Sequence, residues 1–282
     1  MNVSPFKTFT LNIGGRLFVI DSPKIMGIIN VTPDSFYEYS FDGPALEARA
    51  EKMMRDGAHI IDIGGCSTRP GFTAPSVDEE TERVVRGIET VRRINPDAVI
   101  SVDTFRAVVA RKAVEVGANI INDVSGGADP EMFETVAKLG VPYILTDGTL
   151  SSDAETRQPF KIEHRLMLLA EKLRILAQAG VADVIVDPGF GFGKTTDDNY
   201  IAMSNLHAYA LLDRPLLVGI SRKSMITRVC GCSSEESLAG TVALNTFALL
   251  NGASILRVHD VAAARQTIDI VAKLANQISS IC

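Results

Sequence analysis

AVISVDTFRAVVARKAVEVGANIINDV, residues 98–124, holds one complete unit of the pattern that organises this chain. A short apolar run rich in β-branched residues, AVISVDT (98–104), precedes a longer helical stretch and a second such run, NIINDV (119–124). Each run is apolar at nearly every position rather than every second one, as a strand covered on both faces requires. Working outward, the same kind of run recurs as KIMGIIN (24–30), HIIDIGG (59–65), VPYIL (141–145), DVIVDPG (183–189), PLLVGIS (215–221) and SILRVHD (254–260). Eight runs alternating with helices predict an α/β chain whose parallel sheet closes into a TIM (β/α)₈ barrel over 24–280. An open doubly wound sheet is the alternative. No linker or low-complexity stretch marks a boundary, so 1–282 reads as one domain.

The helices carry their own signals. Ser76 and Glu79 form a capping-box pattern, and behind it Val84, Ile88 and Val91 share one face. Asp129-Pro130 reads as an N-cap followed by a first-turn proline, with Gly140 as the stop. The last helix places Val261, Ala264, Ile268, Val271, Leu274 and Ile278 on one stripe. Ahead of the first barrel strand, FKTFTLNIGGRLFVID (6–21) reads as a β-hairpin turning at Gly14-Gly15 and plugging the barrel's N-terminal end.

Composition narrows the function. Of 282 residues, 46% are hydrophobic and 22% charged, enough to bury a large core. A net charge of −6 argues against a protein that grips nucleic acid through bulk charge, so an anionic ligand must be held by local cations. No apolar run approaches the roughly 20 residues of a membrane span, and the N-terminus lacks a signal-peptide pattern, so a cytoplasmic protein is expected. Cys66, Cys230, Cys232 and Cys282 read as free thiols, because Cys230-Gly231-Cys232 has no second pair to complete a zinc site.

In such a barrel the chemistry sits where strands end. Here nearly every strand ends in polar groups: Asn30 to Phe36, Asp62 and then Ser67 to Gly71, Asp103-Thr104, Asn122-Asp123, Asp187, Lys223, and Arg257 with His259. Singly, Asp103, Asn122 and Asp123 read as helix caps, and Arg69 and Lys223 as surface cations. Together they converge on one mouth with both signs of charge. His59, His164 and His207 fall away from it and read as structural or surface positions. GFGFGKT (189–195) is not a phosphate-binding loop, since Pro188 stands where its first glycine belongs. Zinc-hydrolase and serine-hydrolase motifs are missing as well.

Several motifs, in order, resemble those of dihydropteroate synthases. They are Met26 to Phe36, Asp62 to Gly71, Ser101-Val102-Asp103-Thr104, Asn122 to Gly126, Asp187 to Lys194, Ser221-Arg222-Lys223-Ser224 and Arg257-Val258-His259-Asp260. The resemblance implies condensation of 6-hydroxymethyl-7,8-dihydropterin diphosphate with 4-aminobenzoate, with Mg²⁺ as cofactor. It implies pterin contacts from Asp103, Asn122, Asp187, Phe190, Gly219 and Lys223. Aminobenzoate contacts fall to Phe36, Thr68, Arg69, Pro70 and Ser224, with Phe190 near one of the two rings. The diphosphate falls to Asn30 (through the metal), Thr68, Arg69, Arg257 and His259. Catalysis is carried by Asn30, Arg69, Asp103, Lys223, Arg257 and His259 through electrostatic stabilisation and positioning. The family further implies a homodimer built on the last helices, and sulfonamide binding.

The chain also departs from the family pattern. Cys66 replaces a glutamate, and Tyr37 to Gly43 is bulkier than the usual loop. Leu145-Thr146-Asp147-Gly148-Thr149 stands where relatives carry Met-His-Met. Losing an apolar contact at Thr146 is expected to weaken pterin binding by about an order of magnitude. Two other readings therefore accompany the synthase: a pterin-dependent methyltransferase, and a catalytically silent pterin-binding paralogue.

Overall fold

A computed structural model describes residues 6–32, 43–66, 73–148 and 160–278, with the side chains of Asn276 and Ile278 left aside. The hairpin comes first, as β1 (Phe9–Ile13) and β2 (Arg16–Ile20). Its two-residue turn needs positive φ at both centres, which Gly14 and Gly15 supply at 57° and 82°. Eight strands follow: β3 (Lys24–Asn30), β4 (Ile60–Gly64), β5 (Val99–Asp103), β6 (Ile120–Asp123), β7 (Tyr143–Thr146), β8 (Val184–Asp187), β9 (Leu217–Val218) and β10 (Ile255–Val258). All pair in parallel, in the order β8-β7-β6-β5-β4-β3-β10-β9. The ring closes where Val186 bridges Leu216 in parallel and donates its N–H to the Pro215 carbonyl at 2.9 Å. The sheet is a barrel, and the open doubly wound alternative is excluded.

Helices fill the connections: α1 (Gly43–Arg55), α2 (Val77–Ile94), α3 (Ala107–Glu115), α4 (Met132–Leu139), α5 (Ile162–Gln178), α6 (Thr196–Ser204), α7 (Ser224–Cys230), α8 (Leu238–Leu250) and α9 (Val261–Ile278). The capping box of α2 is present in both directions, Glu79 N–H to Ser76 Oγ and Ser76 N–H to the Glu79 carboxylate. Val84, Ile88 and Val91 are fully buried, and Gly140 ends α4 at φ 63°. Asp129 behaves differently from its reading as the α4 cap. Its carboxylate accepts the N–H of Glu131 and, across the loop, the N–H of Ala107 that opens α3. On α9 the stripe from Val261 to Val271 is buried, Leu274 is 53% exposed, and the side chain of Ile278 lies outside those described. No helix among the described residues is long and apolar enough to cross a membrane.

The barrel has two cores. Outward-facing strand residues pack against the helices, in the larger cluster. The smaller one fills the lumen: Met26, Ile60, Ile120, Ile144, Ile185, Leu217 and Ile255 meet Leu11, Ile13 and Ile20 of the hairpin. The hairpin thus seals the N-terminal end, and further bonds fix it there. Asn12 donates its N–H to Asp183 at 2.8 Å, and Arg16 pairs with Asp97 at 2.8 Å.

Strand side chains alternate, so residues two places on from this lumen layer also point inward. Those positions are Ile28, Asp62, Asn122, Thr146, Asp187, Gly219 and Arg257, with Asn30 and Asp103 at the same parity in their strands. The lumen therefore changes from apolar to polar within one pleat, going up from the sealed floor. That step positions the site.

Replacing Leu11, 2% exposed in the lumen cluster, by alanine is expected to cost about 2–4 kcal/mol in urea unfolding with no change in m-value. An unchanged midpoint would mean that the hairpin lies on the barrel without sealing it.

Candidate active site

Arg257 crosses the polar end of the lumen. Its Nε donates to Asp62 Oδ2 at 2.6 Å, and its Nη2 to Asp103 Oδ2 at 2.5 Å. Asn122 Nδ2 donates to the same Asp62 oxygen at 3.1 Å. Burial opposes the charge of Arg257, yet Asp62 and Asp103 outweigh it and hold the guanidinium above its usual range. Asp103 moves up, because burial and the nearby Asp62 and Glu80 carboxylates exceed what Arg257 and Lys223 give back. Two further acceptors, Asp62 Oδ1 and Asn122 Oδ1, are buried without a hydrogen bond. A buried acceptor left this way costs about 1–3 kcal/mol, which a ligand edge offering N–H groups would recover.

Lys223 and Asp187 form the adjoining side. Burial pushes the Lys223 ammonium down from 10.5 to about 8, against the pull of Asp187. Burial likewise raises Asp187, Lys223 opposing, while its Oδ1 accepts the Gly189 N–H at 2.8 Å. Gly189 sits at φ 65°, and a methyl there would lie 2.3 Å from the Asp147 carbonyl oxygen, so this turn admits only glycine. Gly219 lies alongside Arg257, where a methyl would make an ordinary contact 3.6 Å from the Arg257 Cβ.

Phe190 needs correcting. Its ring is fully buried in the outer core, and it meets Lys223 only through its carbonyl oxygen, which accepts from Nζ. The aromatic face offered to the Lys223 cation is that of Phe192, 4.7 Å from Nζ to the ring centroid. Both phenylalanines lie in one glycine-rich loop, and a sequence alone does not say which one turns inward.

At the end of β10 the field is cationic. Burial, then Arg222, Arg257 and Arg49, push His259 down to about 3 against Asp260, so its ring is uncharged at neutral pH. Arg49 reaches in from α1, donating to the Ile28 carbonyl at 3.2 Å. Arg49 was not singled out from sequence, and Arg222 entered only within the Ser221-Arg222-Lys223-Ser224 motif, with no role of its own. Asn30, at the end of β3, pairs with Gly64 and stands on the Asp103 side of the mouth. A methyl on Gly64 would meet the Asn30 Oδ1 at 3.3 Å and the Asp103 Cβ at 3.6 Å. Among the described residues no group of three or more His, Cys, Asp or Glu side chains is placed to hold a metal. A divalent ion here would take an oxygen from Asn30 and the rest from a phosphorylated ligand and water, a habit of Mg²⁺.

Of the departing run after β7, Thr146, Asp147 and Gly148 are described and Thr149 lies outside the described residues. The Asp147 carboxylate, 3% exposed, is gripped by Arg165 from α5, Nε to Oδ1 at 2.8 Å, and lies 3.5 Å from the Lys194 ammonium. Its charge is spent within the protein. Thr146 is buried beside Asp187 in the register, its hydroxyl without a hydrogen bond. At the Cys66 position, burial and the neighbouring Glu80 push the thiol up to about 12, so it is an inert packing group.

The fold thus brings together Asn30, Asp103, Asn122, Asp187, Gly219, Lys223, Arg257 and His259, while Ser224 stands exposed at the start of α7. Phe36, Thr68, Arg69 and Pro70 lie outside the described residues. Asp62 was counted among the polar strand ends from sequence but given no role. It is fully buried, it holds both Arg257 and Asn122, and its signal was its place two residues after Ile60 in an otherwise apolar strand.

Comparison with known proteins agrees with this arrangement. Residues 26–259 match the family model described as pterin binding enzyme. The chain is 38% identical over 256 residues to the dihydropteroate synthase of Escherichia coli K12, covering 88% of this chain and 90% of that one. Xanthomonas albilineans dihydropteroate synthase with 4-aminobenzoic acid superposes with a TM-score of 0.87 at 36% identity, over 95% of this chain and 98% of that one. The same enzyme in complex with 7,8-dihydropteroate gives 0.84 at 34% identity, over 94% and 98%.

Because folding must bury Lys223 charged below about pH 8, while the unfolded lysine stays protonated up to 10.5, its burial costs stability at neutral pH. Lys223→Met removes this cost together with the attraction to Asp187, so what the lowered pKa fixes is the pH dependence. The parent should gain on the variant by up to about 3 kcal/mol as pH rises from 8 towards 10.5. Urea midpoints measured across that window test this, and a gap independent of pH would refute it.

Proposed function

The chain belongs to the pterin-binding enzymes, and we infer that it is a dihydropteroate synthase, a transferase of folate biosynthesis. It joins 6-hydroxymethyl-7,8-dihydropterin diphosphate to 4-aminobenzoate, giving 7,8-dihydropteroate and pyrophosphate. The observation that carries the reading is the inward layer of Asp62, Asp103, Asn122 and Asp187 around Arg257 and Lys223, with buried acceptors left over.

A pterin ring presents an edge of alternating donors and acceptors. Carboxylates from Asp103 and Asp187 take its N–H groups, Asn122 offers both kinds of partner, and Lys223 donates to ring acceptors. Next to this, Arg257 and His259, backed by Arg49 and Arg222, face the diphosphate. The C–O bond breaks with its electron pair on the diphosphate, the amine nitrogen bonds to the methylene carbon, and its surplus proton leaves to water. Fixed cations and N–H donors stabilise the leaving charge at no reorganisation cost, and no protein nucleophile is needed. Asn30 would hold Mg²⁺, which when bound would add to the neutralisation of that charge. Thr68, Arg69, Pro70 and Phe36, with Ser224, complete the aminobenzoate half.

The silent-paralogue reading rested on the changes at Thr146 and Asp147. Pairing of Asp147 with Arg165 and Lys194 keeps that carboxylate out of the way of a substrate. We assign the exposed apolar face of α8 and α9 (Phe247, Leu250, Ile270) to pairing of two copies of the chain.

Purified protein should release pyrophosphate only when pterin diphosphate, 4-aminobenzoate and Mg²⁺ are all present, with a sulfonamide competing against 4-aminobenzoate. Asp103→Asn should raise the KM for the pterin about tenfold or more. Release without 4-aminobenzoate, or none at all, would overturn the assignment.

A further inference from the structure

The loop after β9 and the end of β10 meet through two pairs of consecutive residues. Ser221 faces His259, and Arg222 faces Asp260. The Ser221 Oγ accepts the His259 backbone N–H at 3.2 Å and lies 3.1 Å from Nδ1 of the same residue. The Arg222 guanidinium takes the Asp260 carboxylate as a fork, Nη2 to Oδ1 at 2.7 Å and Nε to Oδ2 at 3.1 Å.

Arg222 holds this grip with its backbone at φ 59°, in the left-handed region, which a non-glycine residue keeps only when its surroundings over-determine it. They do. The Arg222 N–H donates to Thr241 Oγ1 of α8 at 3.3 Å, and the turn is closed by Lys223 N–H on the Ile220 carbonyl at 3.1 Å. The separation between Ser221 and His259 is therefore set by a fork, a turn and a helix, and not by the serine itself.

A hydroxyl carries one proton and two lone pairs. One lone pair of Ser221 is engaged by the His259 N–H, which leaves its proton an acceptor in Nδ1. The alternative tautomer would have Ser221 accept twice and give up that donation. We propose that Ser221 is a positioning residue for the diphosphate half of the site, its hydroxyl donating to Nδ1 of His259 and so fixing the ring proton on Nε2. The ring carries a single proton, since burial and the surrounding arginines keep it uncharged. Nε2 then presents a hydrogen-bond donor to a leaving diphosphate oxygen without a proton having to be taken up or lost during turnover. The identity of that acceptor rests on the synthase reading; the tautomer does not.

The test is long-range ¹H–¹⁵N NMR on the full chain labelled with ¹⁵N-histidine, at pH 7 and without substrate. There are four histidines, and His59 is an internal reference, because its Nδ1 accepts the Ile25 N–H at 3.1 Å and its proton is on Nε2. The expected result is the same pattern for His259, kept in Ser221→Thr and lost to tautomer averaging in Ser221→Ala. In kinetics, Ser221→Ala should raise the KM for pterin diphosphate about tenfold and leave that for 4-aminobenzoate unchanged. A proton on Nδ1 in the parent, or an Ala variant with the parent's spectrum, would overturn the proposal. Should the Ala variant not fold, the parent spectrum still decides. Absence of pyrophosphate release alongside the expected spectrum would sink the synthase reading and leave the tautomer standing.

Discussion

Everything in this barrel is arranged around one buried cation. Arg257 lies between Asp62 and Asp103, and a guanidinium in that position is tolerated only because both carboxylates are present. Removing one partner of a buried pair typically costs about 3–5 kcal/mol, since a charge is then left without compensation. The pair also constrains the sheet. Asp62, Asp103 and Arg257 come from β4, β5 and β10, and all three reach the lumen only if each strand keeps its parity. A slip by one residue would turn a carboxylate into the apolar layer under the helices and an isoleucine into the site. The requirement that makes the site polar is the same one that makes the register unique.

The departures from the family pattern are absorbed by the same logic. Where the family pattern has Met-His-Met, this chain has an acidic residue, held by Arg165 of α5 and by Lys194 of the glycine-rich loop, the latter already part of the shared motif. Where relatives carry glutamate, Cys66 packs beside Glu80, whose carboxylate is taken by Thr104 at 2.6 Å and Arg106 at 2.7 Å. In both places a change in charge at a strand end is balanced inside the barrel wall, and the inward layer is left intact.

Much of this was legible in the residues. Continuous apolar runs identified every barrel strand within a few positions, since only doubly covered strands afford that pattern. Ser76-Glu79 and Gly140 marked helix ends correctly because their chemistry is local. Failures came where the deciding partner is remote. Asp129 looked like a cap of its own helix and serves α3 as well, through a contact 22 residues back. The seventh run, PLLVGIS, yields a strand of only two residues, because closure against β8 uses single contacts at Pro215 and Leu216. Among site residues, those at strand ends could be picked by position. Asp62 was picked that way too, but its role in holding Arg257 and Asn122 depends on partners from β10 and β6, and the choice between Phe190 and Phe192 depends on loop backbone geometry. Arg49 and Arg222 acquire meaning only when helix and loop are brought against β10.

The packed floor of the lumen has a kinetic meaning. Strand side chains from Met26 to Ile255, closed from below by the hairpin, fill the barrel's interior, so the polar level above them opens in one direction only. Molecules that share a single opening behave as a stack, last in and first out. In the synthase reading, the groups that suit a pterin stand at the strand ends and Ser224 at the head of α7, so the pterin would arrive before the aminobenzoate and would not depart past it.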